Sequence, residues 1–199
     1  MGWRKYVIVV TGTVVLLLAG GTGCADKEKI MNERKGVITM KGKPLTLTGK
    51  EVKVGDAVPD AVVVANDLAE IKLSSYRGKV CIITSVPSLD TSVCDIETRR
   101  FNEEAGKLDG VVVLTISMDL PFAQKRWCGA AGVKNVVTLS DYRYASFGNE
   151  FGVLIKELRL LARTVFVVDK AGIVRYKQIV PEIATEPDYD AALKMAKGL

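Results

Sequence analysis

The sequence contains no histidine. A cysteine–histidine protease, a serine–histidine–aspartate hydrolase and any histidine-ligated zinc or iron centre are therefore excluded within this chain. The four cysteines, Cys24, Cys81, Cys94 and Cys128, include no C-x-x-C pair, which argues against a zinc ribbon and against an oxidoreductase of the C-x-x-C dithiol type. Lysine and arginine form no run interleaved with aromatics, so no nucleic-acid partner is expected. No internal repeat is present, and no low-complexity segment follows the N-terminal leader. A cysteine activated in such a chain must draw its help from arginine, lysine, hydroxyl or backbone N–H groups. No metal or cofactor is expected.

What is present suits one globular domain behind a short leader: 199 residues, 48% hydrophobic and 26% charged, close to the soluble average. The formal net charge is +5, and two of its cations, Arg4 and Lys5, lie in the leader. They precede an apolar run, Val7–Ala19, then Gly20, Gly21, Thr22, Gly23 and Cys24. A positive start, a short apolar core and small residues before a break form a secretory signal, and the run falls short of the roughly 20 residues that span a bilayer. Cys24 after Thr-Gly resembles the acylated cysteine of a bacterial lipoprotein signal, although Gly21 stands where a leucine-like residue is usual. The expected organisation is a signal over 1–24, a charged tether over 25–35 and one domain over 36–199. That makes the protein exported, periplasmic or held at a membrane by lipidated Cys24; cleavage near Cys24 without lipidation, or an uncleaved anchor, is the plainer alternative.

Periodicity organises the domain. Gly36–Met40 and Leu45–Thr48 flank Lys41-Gly42-Lys43-Pro44 as a β-hairpin. Ala61–Ala65 and Ile71–Leu73 read as short extended segments, and Lys79–Ser85 as a strand buried on both faces. A helix begins near Thr91 or Ser92, with Cys94, Thr98, Phe101, Ala105 and Leu108 on one face. It stops at Gly110, before the strand Val111–Ser117. Pro121 opens a helix to about Ala131, Asn135–Leu139 is a strand, and Ala145–Phe151 a short helix. Thr164–Val168 and Ile173–Ile179 are strands joined by Asp169-Lys170-Ala171-Gly172, and Asp188–Lys197 is the last helix. The order predicts an α/β sandwich with a mixed central sheet flanked by helices; a thioredoxin-like arrangement fits it.

Chemistry concentrates in PSLDTSVCDIETRRFNEE, Pro87–Glu104. Its P-x-x-x-T-x-x-C spacing places Cys94 in the opening turn of a helix, where the helix dipole favours thiolate over thiol. This segment resembles the peroxidatic-cysteine motif of the thiol peroxidases, bacterial atypical 2-Cys peroxiredoxins with a thioredoxin-like fold. DLPFAQKRWCGAAGVKNVVTLSDYR resembles the segment bearing their resolving cysteine, and LLARTVFVVDKAGIVRYKQIVPEIATEPDYDAAL their arginine strand and C-terminal helix. The likeness runs from about Gly36 to the end. The stretch after Gly152, VLIKELRLLAR, is shorter than the family would lead one to expect, which blurs alignment around Arg159 but not Arg163. The leader departs from the family's usual cytoplasmic location.

The resemblance implies a role for each residue. Cys94 attacks hydrogen peroxide or an alkyl hydroperoxide and becomes a sulfenic acid. Cys128 condenses with it to a disulfide, and a thioredoxin-like dithiol reduces the product. Arg163 brings its guanidinium to sulfur and peroxide, the Thr91 hydroxyl hydrogen-bonds both, and Pro87 walls the pocket. A homodimer is implied as well. The plainer readings are a core thiol at Cys94, a packing thiol or permanent disulfide at Cys128, and a surface ion pair at Arg163. Cys81 reads as structural, Arg99 and Arg100 as solvated helix charges, and Trp127 as packing beside Cys128. As whole-protein alternatives stand a peroxide sensor that relays its oxidation to a partner, and a non-catalytic thioredoxin-fold binding domain.

Overall fold

A computed structural model describes residues 32–199. The signal, Cys24 and all of the tether before Asn32 lie outside the described residues. Strands β1 (Glu33–Met40) and β2 (Lys43–Thr48) form the expected hairpin, but its turn is only Lys41-Gly42. Both turn residues have positive φ, 52° and 75°, the two-residue geometry whose twist matches the flanking strands. Lys43 and Pro44 belong to β2. At the other end β1 reaches back into the stretch expected as tether, pairing Glu33, Arg34 and Lys35 with Thr48, Leu47 and Thr46. Two of those charges are paired rather than merely solvated, Lys156 bonding Glu33 at 2.5 Å and Arg34 lying 3.4 Å from Glu51.

The main sheet has seven strands in the order β11-β10-β5-β6-β7-β3-β4. Its centre is β5 (Val80–Ser85), β6 (Val111–Ser117) and β7 (Val136–Ser140), paired in parallel. Each parallel step is bridged by a helix, as a crossover requires: α1 (Ser92–Ala105) joins β5 to β6 and α2 (Pro121–Ala131) joins β6 to β7. Antiparallel strands finish both edges, β10 (Thr164–Val168) and β11 (Val174–Ile179) on one side, β3 (Val62–Val64) and β4 (Glu70–Lys72) on the other. The sheet is mixed, and the fold is the thioredoxin-like α/β sandwich.

Alternation along the strands divides the core between the two sheet faces. Val80, Ile82, Val113, Val136, Val165 and Val167 pack with Phe101 of α1 and with Tyr189 and Leu193 of α4 (Tyr189–Lys197). Ile83, Leu114, Leu139 and Phe166 point the other way, toward Ile38 and Leu47 of the hairpin and Phe147 of α3 (Ser146–Glu150). Asp188, expected as the first residue of the last helix, is its N-cap and accepts from the Ala191 N–H at 3.0 Å.

One unexpected feature is a second hairpin, β8 (Leu154–Ile155) and β9 (Leu160–Leu161), inside the stretch after Gly152, for which no element was expected. It extends β1 and β2 into a separate four-stranded sheet. Two-residue strands are too short to show a period. Their register is fixed by tertiary contacts instead: Gly148 of α3 lies so close that a Cβ there would stand 2.9 Å from both Leu154 Cβ and Leu161 Cδ2.

Candidate active site

The α1 N-terminus is built around a cap that does not cap. Thr91 sits at the N-cap position with extended backbone (φ −122°, ψ 146°), yet its side chain makes no capping bond to the helix. Threonine in this place ordinarily accepts from a first-turn N–H. Here its Oγ1 lies 3.0 Å from the Ser88 carbonyl oxygen and 2.9 Å from Cys94 Sγ. The hydroxyl has one proton, so the two bonds are coupled. A thiol at Cys94 can donate to Oγ1 while the hydroxyl serves Ser88; a thiolate needs the hydroxyl proton turned toward sulfur. The N–H groups of the first helical turn, which have no partner within the helix, remain free to meet an anion or a polarised oxygen.

Cys94 is completely buried and packs with Val86 and Leu89. Over it lies Arg163, the largest fully buried side chain of the described residues at 1% exposure. Arg163 immediately precedes β10 and shares the parity of Val165 and Val167, which aims it at the α1 face. Its Nη2 donates to Cys94 Sγ at 3.4 Å and to the Ile183 carbonyl at 2.9 Å, Nε donates to the same carbonyl at 3.1 Å, and Nη1 donates to Glu97 Oε2. Burial alone would lower the guanidinium pKa, but Glu97 and Cys94 outweigh it and hold Arg163 above its ordinary value. A planar fork can serve sulfur, carboxylate and carbonyl together; an ammonium cannot.

Glu97 is the member the sequence reading missed. It is fully buried, and burial pushes its carboxyl up to about 7 against the pull of Arg163. A sequence signal existed, because Glu97 follows Cys94 by three residues and so shares its helix face.

Pro87 is buried in the turn between β5 and α1. That turn is anchored by Asp119, whose carboxylate accepts from Ser88 Oγ (2.7 Å), the Leu89 N–H (2.8 Å) and Ser117 Oγ (2.8 Å). Gln124, also fully buried, donates to Ser117 Oγ and the Leu139 carbonyl, both at 2.9 Å, tying α2 to β6 and β7. The DLPFAQ string thus has a physical content: an anchor for the cysteine loop, a proline at the helix start and a buried amide strut. Asp119→Ala is expected to cost about 1–3 kcal/mol by stranding buried donors, read as a lower urea midpoint.

Cys128 sits in α2, half-buried and unbonded to Cys94. Its Sγ is 3.3 Å from Thr138 Oγ1 on β7, a hydroxyl that also accepts from Asn66 Nδ2 at 2.9 Å. Gly132, in the left-handed region at φ 66°, ends α2 just beyond it. Cys81 lies in β5 on the opposite sheet face, and burial raises its thiol to about 11. The structure therefore brings Cys94, Thr91, Arg163 and Glu97 together, with Pro87 in the adjoining turn and Cys128 one helix away.

Comparison with known proteins agrees with this fold. Residues 53–193 match the Redoxin family model. A thiol peroxidase from Bacillus subtilis is 59% identical over 162 residues, covering 81% of this chain and 97% of the relative. One from Listeria monocytogenes is 58% identical over 160 residues, covering 80% and 97%. The crystal structure of a peroxiredoxin-like protein from Aquifex aeolicus superposes with a TM-score of 0.78 at 47% identity, covering 84% of this chain and 98% of that one. A thiol peroxidase from Chromobacterium violaceum, at 20% identity and a TM-score of 0.74, shares the fold. With a buried thiol set on a redoxin framework and relatives of this closeness along nearly their whole length, the chain belongs to the thiol peroxidases, peroxiredoxin-type oxidoreductases.

Proposed function

We propose that Cys94 is the peroxide-reacting sulfur, Cys128 the resolving one, and a thioredoxin-like dithiol the reductant. The Cys94 thiolate takes the terminal oxygen of hydrogen peroxide or an organic hydroperoxide. The O–O bond breaks, and the leaving oxygen collects a proton and departs as water or alcohol. Cys94 is left as a sulfenic acid. The Cys128 thiol then displaces water from it to give the disulfide, and two exchange steps with the external dithiol restore both thiols. Thr91, Arg163 and the first-turn N–H groups supply donors where negative charge develops, while buried Pro87 and Leu89 limit water around the sulfur. The observation that carries this reading is one sulfur in contact with both a hydroxyl and a buried guanidinium.

The leader supports an exported enzyme tethered through lipidated Cys24, and family membership supports a homodimer. A lipid-held enzyme would meet hydroperoxides and a reductant on the outer side of the inner membrane. The test is peroxide consumption with excess dithiol. Cys94→Ser should fall to the uncatalysed background. Cys128→Ser should accumulate a Cys94 sulfenic acid that a carbon-nucleophile trap captures. Full turnover by Cys94→Ser would refute the assignment. Many equivalents consumed per wild-type chain would separate an enzyme from a single-use sensor.

A further inference from the structure

We infer that the hydrogen bond from Trp127 Nε1 to Asp95 Oδ1, backed by Arg99, is a latch that must open before Cys94 and Cys128 can join, which makes Trp127, Asp95 and Arg99 positioning residues for the second chemical step. The inference rests on the roles proposed above for the two cysteines.

The latch joins the residue after one cysteine to the residue before the other, at 3.1 Å across the seam between α1 and α2. Arg99 reinforces it three ways. Its Nε donates to Asp95 Oδ2 at 2.8 Å, its Nη1 donates to the Ala131 carbonyl at 2.8 Å, and its guanidinium lies 5.9 Å from the Trp127 ring centre. Ala131 ends α2, so Arg99 fills a carbonyl that the helix itself leaves open. Farther along the seam, Asn102 Oδ1 accepts the backbone N–H groups of Lys134 and Asn135 at 2.9 and 2.7 Å. The seam is thus held by Asn102 at its far end, by Arg99 at the end of α2, and beside the cysteines by the Trp127–Asp95 bond.

Helical residues one apart point about 100° from each other. With Asp95 and Trp127 occupying the seam, Cys94 and Cys128 are turned away from it, each toward the sheet. Their partners show this: Cys94 meets Arg163 beside β10, and Cys128 meets Thr138 on β7. β10 and β7 are separated by β5 and β6, so those strands stand roughly 14 Å apart at about 4.8 Å per step. A disulfide needs the two Cα atoms within about 7 Å and the sulfurs bonded. Both sulfurs must leave their partners, and neither helix can rotate or unwind at this end while Trp127 holds Asp95.

The step so gated is condensation of Cys94 sulfenic acid with the Cys128 thiol, forming the S–S bond and releasing water. Its competitor is a second peroxide, which transfers another oxygen to the sulfenic acid and gives the sulfinic acid plus water or alcohol. Latch strength therefore sets the partition of the sulfenic acid between the two.

Trp127→Phe keeps an aromatic ring at the seam and removes the N–H together with the pyrrole part of the indole. Starting from sulfenic acid already formed by one equivalent of peroxide, disulfide closure should quicken about threefold to tenfold, the scale of one hydrogen bond. At fixed excess peroxide, sulfinic acid on Cys94, read by intact mass, should fall in proportion. Arg99→Ala, which leaves both Trp127 and the sulfur's neighbours in place, should shift both readouts the same way by a smaller factor. Closure that is unchanged or slower in both variants would overturn the latch. A wild-type Cys94 that peroxide leaves unoxidised, as neither sulfenic acid nor disulfide, would refute the proposed function instead; sulfenic acid that forms but closes at an unaltered rate in the variants would refute only the latch.

Discussion

Arg163→Met is expected to slow peroxide reduction by about 10²–10³-fold, the usual loss when one preorganised donor is removed from charge developing in a transition state, while the protein stays folded. The second half of that expectation is the less obvious. Breaking a buried ion pair by deleting one partner commonly costs about 3–5 kcal/mol, because the other charge is stranded. Glu97 escapes most of this cost. Burial already holds its carboxyl at about 7 with the guanidinium beside it, so without Arg163 it stays protonated and uncharged at neutral pH. What remains is the lost packing of the largest fully buried side chain and an unmet Ile183 carbonyl, on the order of 1–3 kcal/mol. Arg163→Lys should restore folding more than rate: a point charge on a flexible stem cannot reach sulfur, Glu97 and Ile183 at once, and a loss of about tenfold or more should persist. Single-turnover oxidation of Cys94, normalised to the folded fraction from thermal melts, separates the two effects. A methionine variant that is folded and near wild-type in rate would remove Arg163 from the chemistry.

The order of strands and helices was legible because the elements that build the main sheet are long enough to show their period. The run Val80–Ile83 is continuously apolar because β5 is central and buried on both faces, and the cysteine helix shows its buried stripe through Cys94, Thr98 and Phe101. The β8–β9 hairpin was illegible for the opposite reason: strands of two residues have no period, and they exist through contact with β2 and α3. Long-range pairing hid two features. Glu33 and Arg34 read as tether because their ion-pair partners are distant in sequence, and Glu97 went unnoticed because its partner lies 66 residues away. The site itself was legible where a local motif carries it, as at Pro87, Thr91 and Cys94. Asp119 and Gln124 could be recognised as part of a family string, but their work as anchor and strut is tertiary and only three-dimensional placement reveals it.

Glu97 also gives the protein a stability that should fall as pH rises through neutrality. In the native state its carboxyl holds its proton up to about 7, against an ordinary value of 4.5 in the unfolded chain, with burial as the first cause, Arg163 opposing it and Glu186 adding to it. Between those values the native state binds the extra proton, so the contribution is fully present below pH 4.5 and is lost as pH climbs past 7. At 1.36 kcal/mol per pH unit the whole window is worth about 3 kcal/mol, of which about 1 kcal/mol falls between pH 6 and 7, where the native carboxyl goes from mostly protonated to half ionised. That upper part is the place to measure. Asp141, the other buried carboxyl among the described residues, is raised only to about 6, so it finishes ionising between pH 6 and 7 in wild type and variant alike and cancels in their comparison; the carboxylates held low by partners, such as Glu51, Glu157 and Glu182, act at more acidic pH with the opposite sign. Glu97→Gln keeps an acceptor for Arg163 Nη1 and cannot ionise, so it mimics the protonated form. Even its cost resembles that form's: Oε1 of Glu97 has no hydrogen-bond partner, and the Gln amide, like the carboxyl proton, is left without an acceptor there. Urea unfolding of the two proteins at pH 6, 7 and 8 should therefore show a stability that declines more steeply in the wild type than in the variant, the gap opening by about 1 kcal/mol between pH 6 and 7. Parallel pH profiles would mean that Glu97 is ionised throughout, and that Arg163 carries a permanent counter-charge in addition to the sulfur.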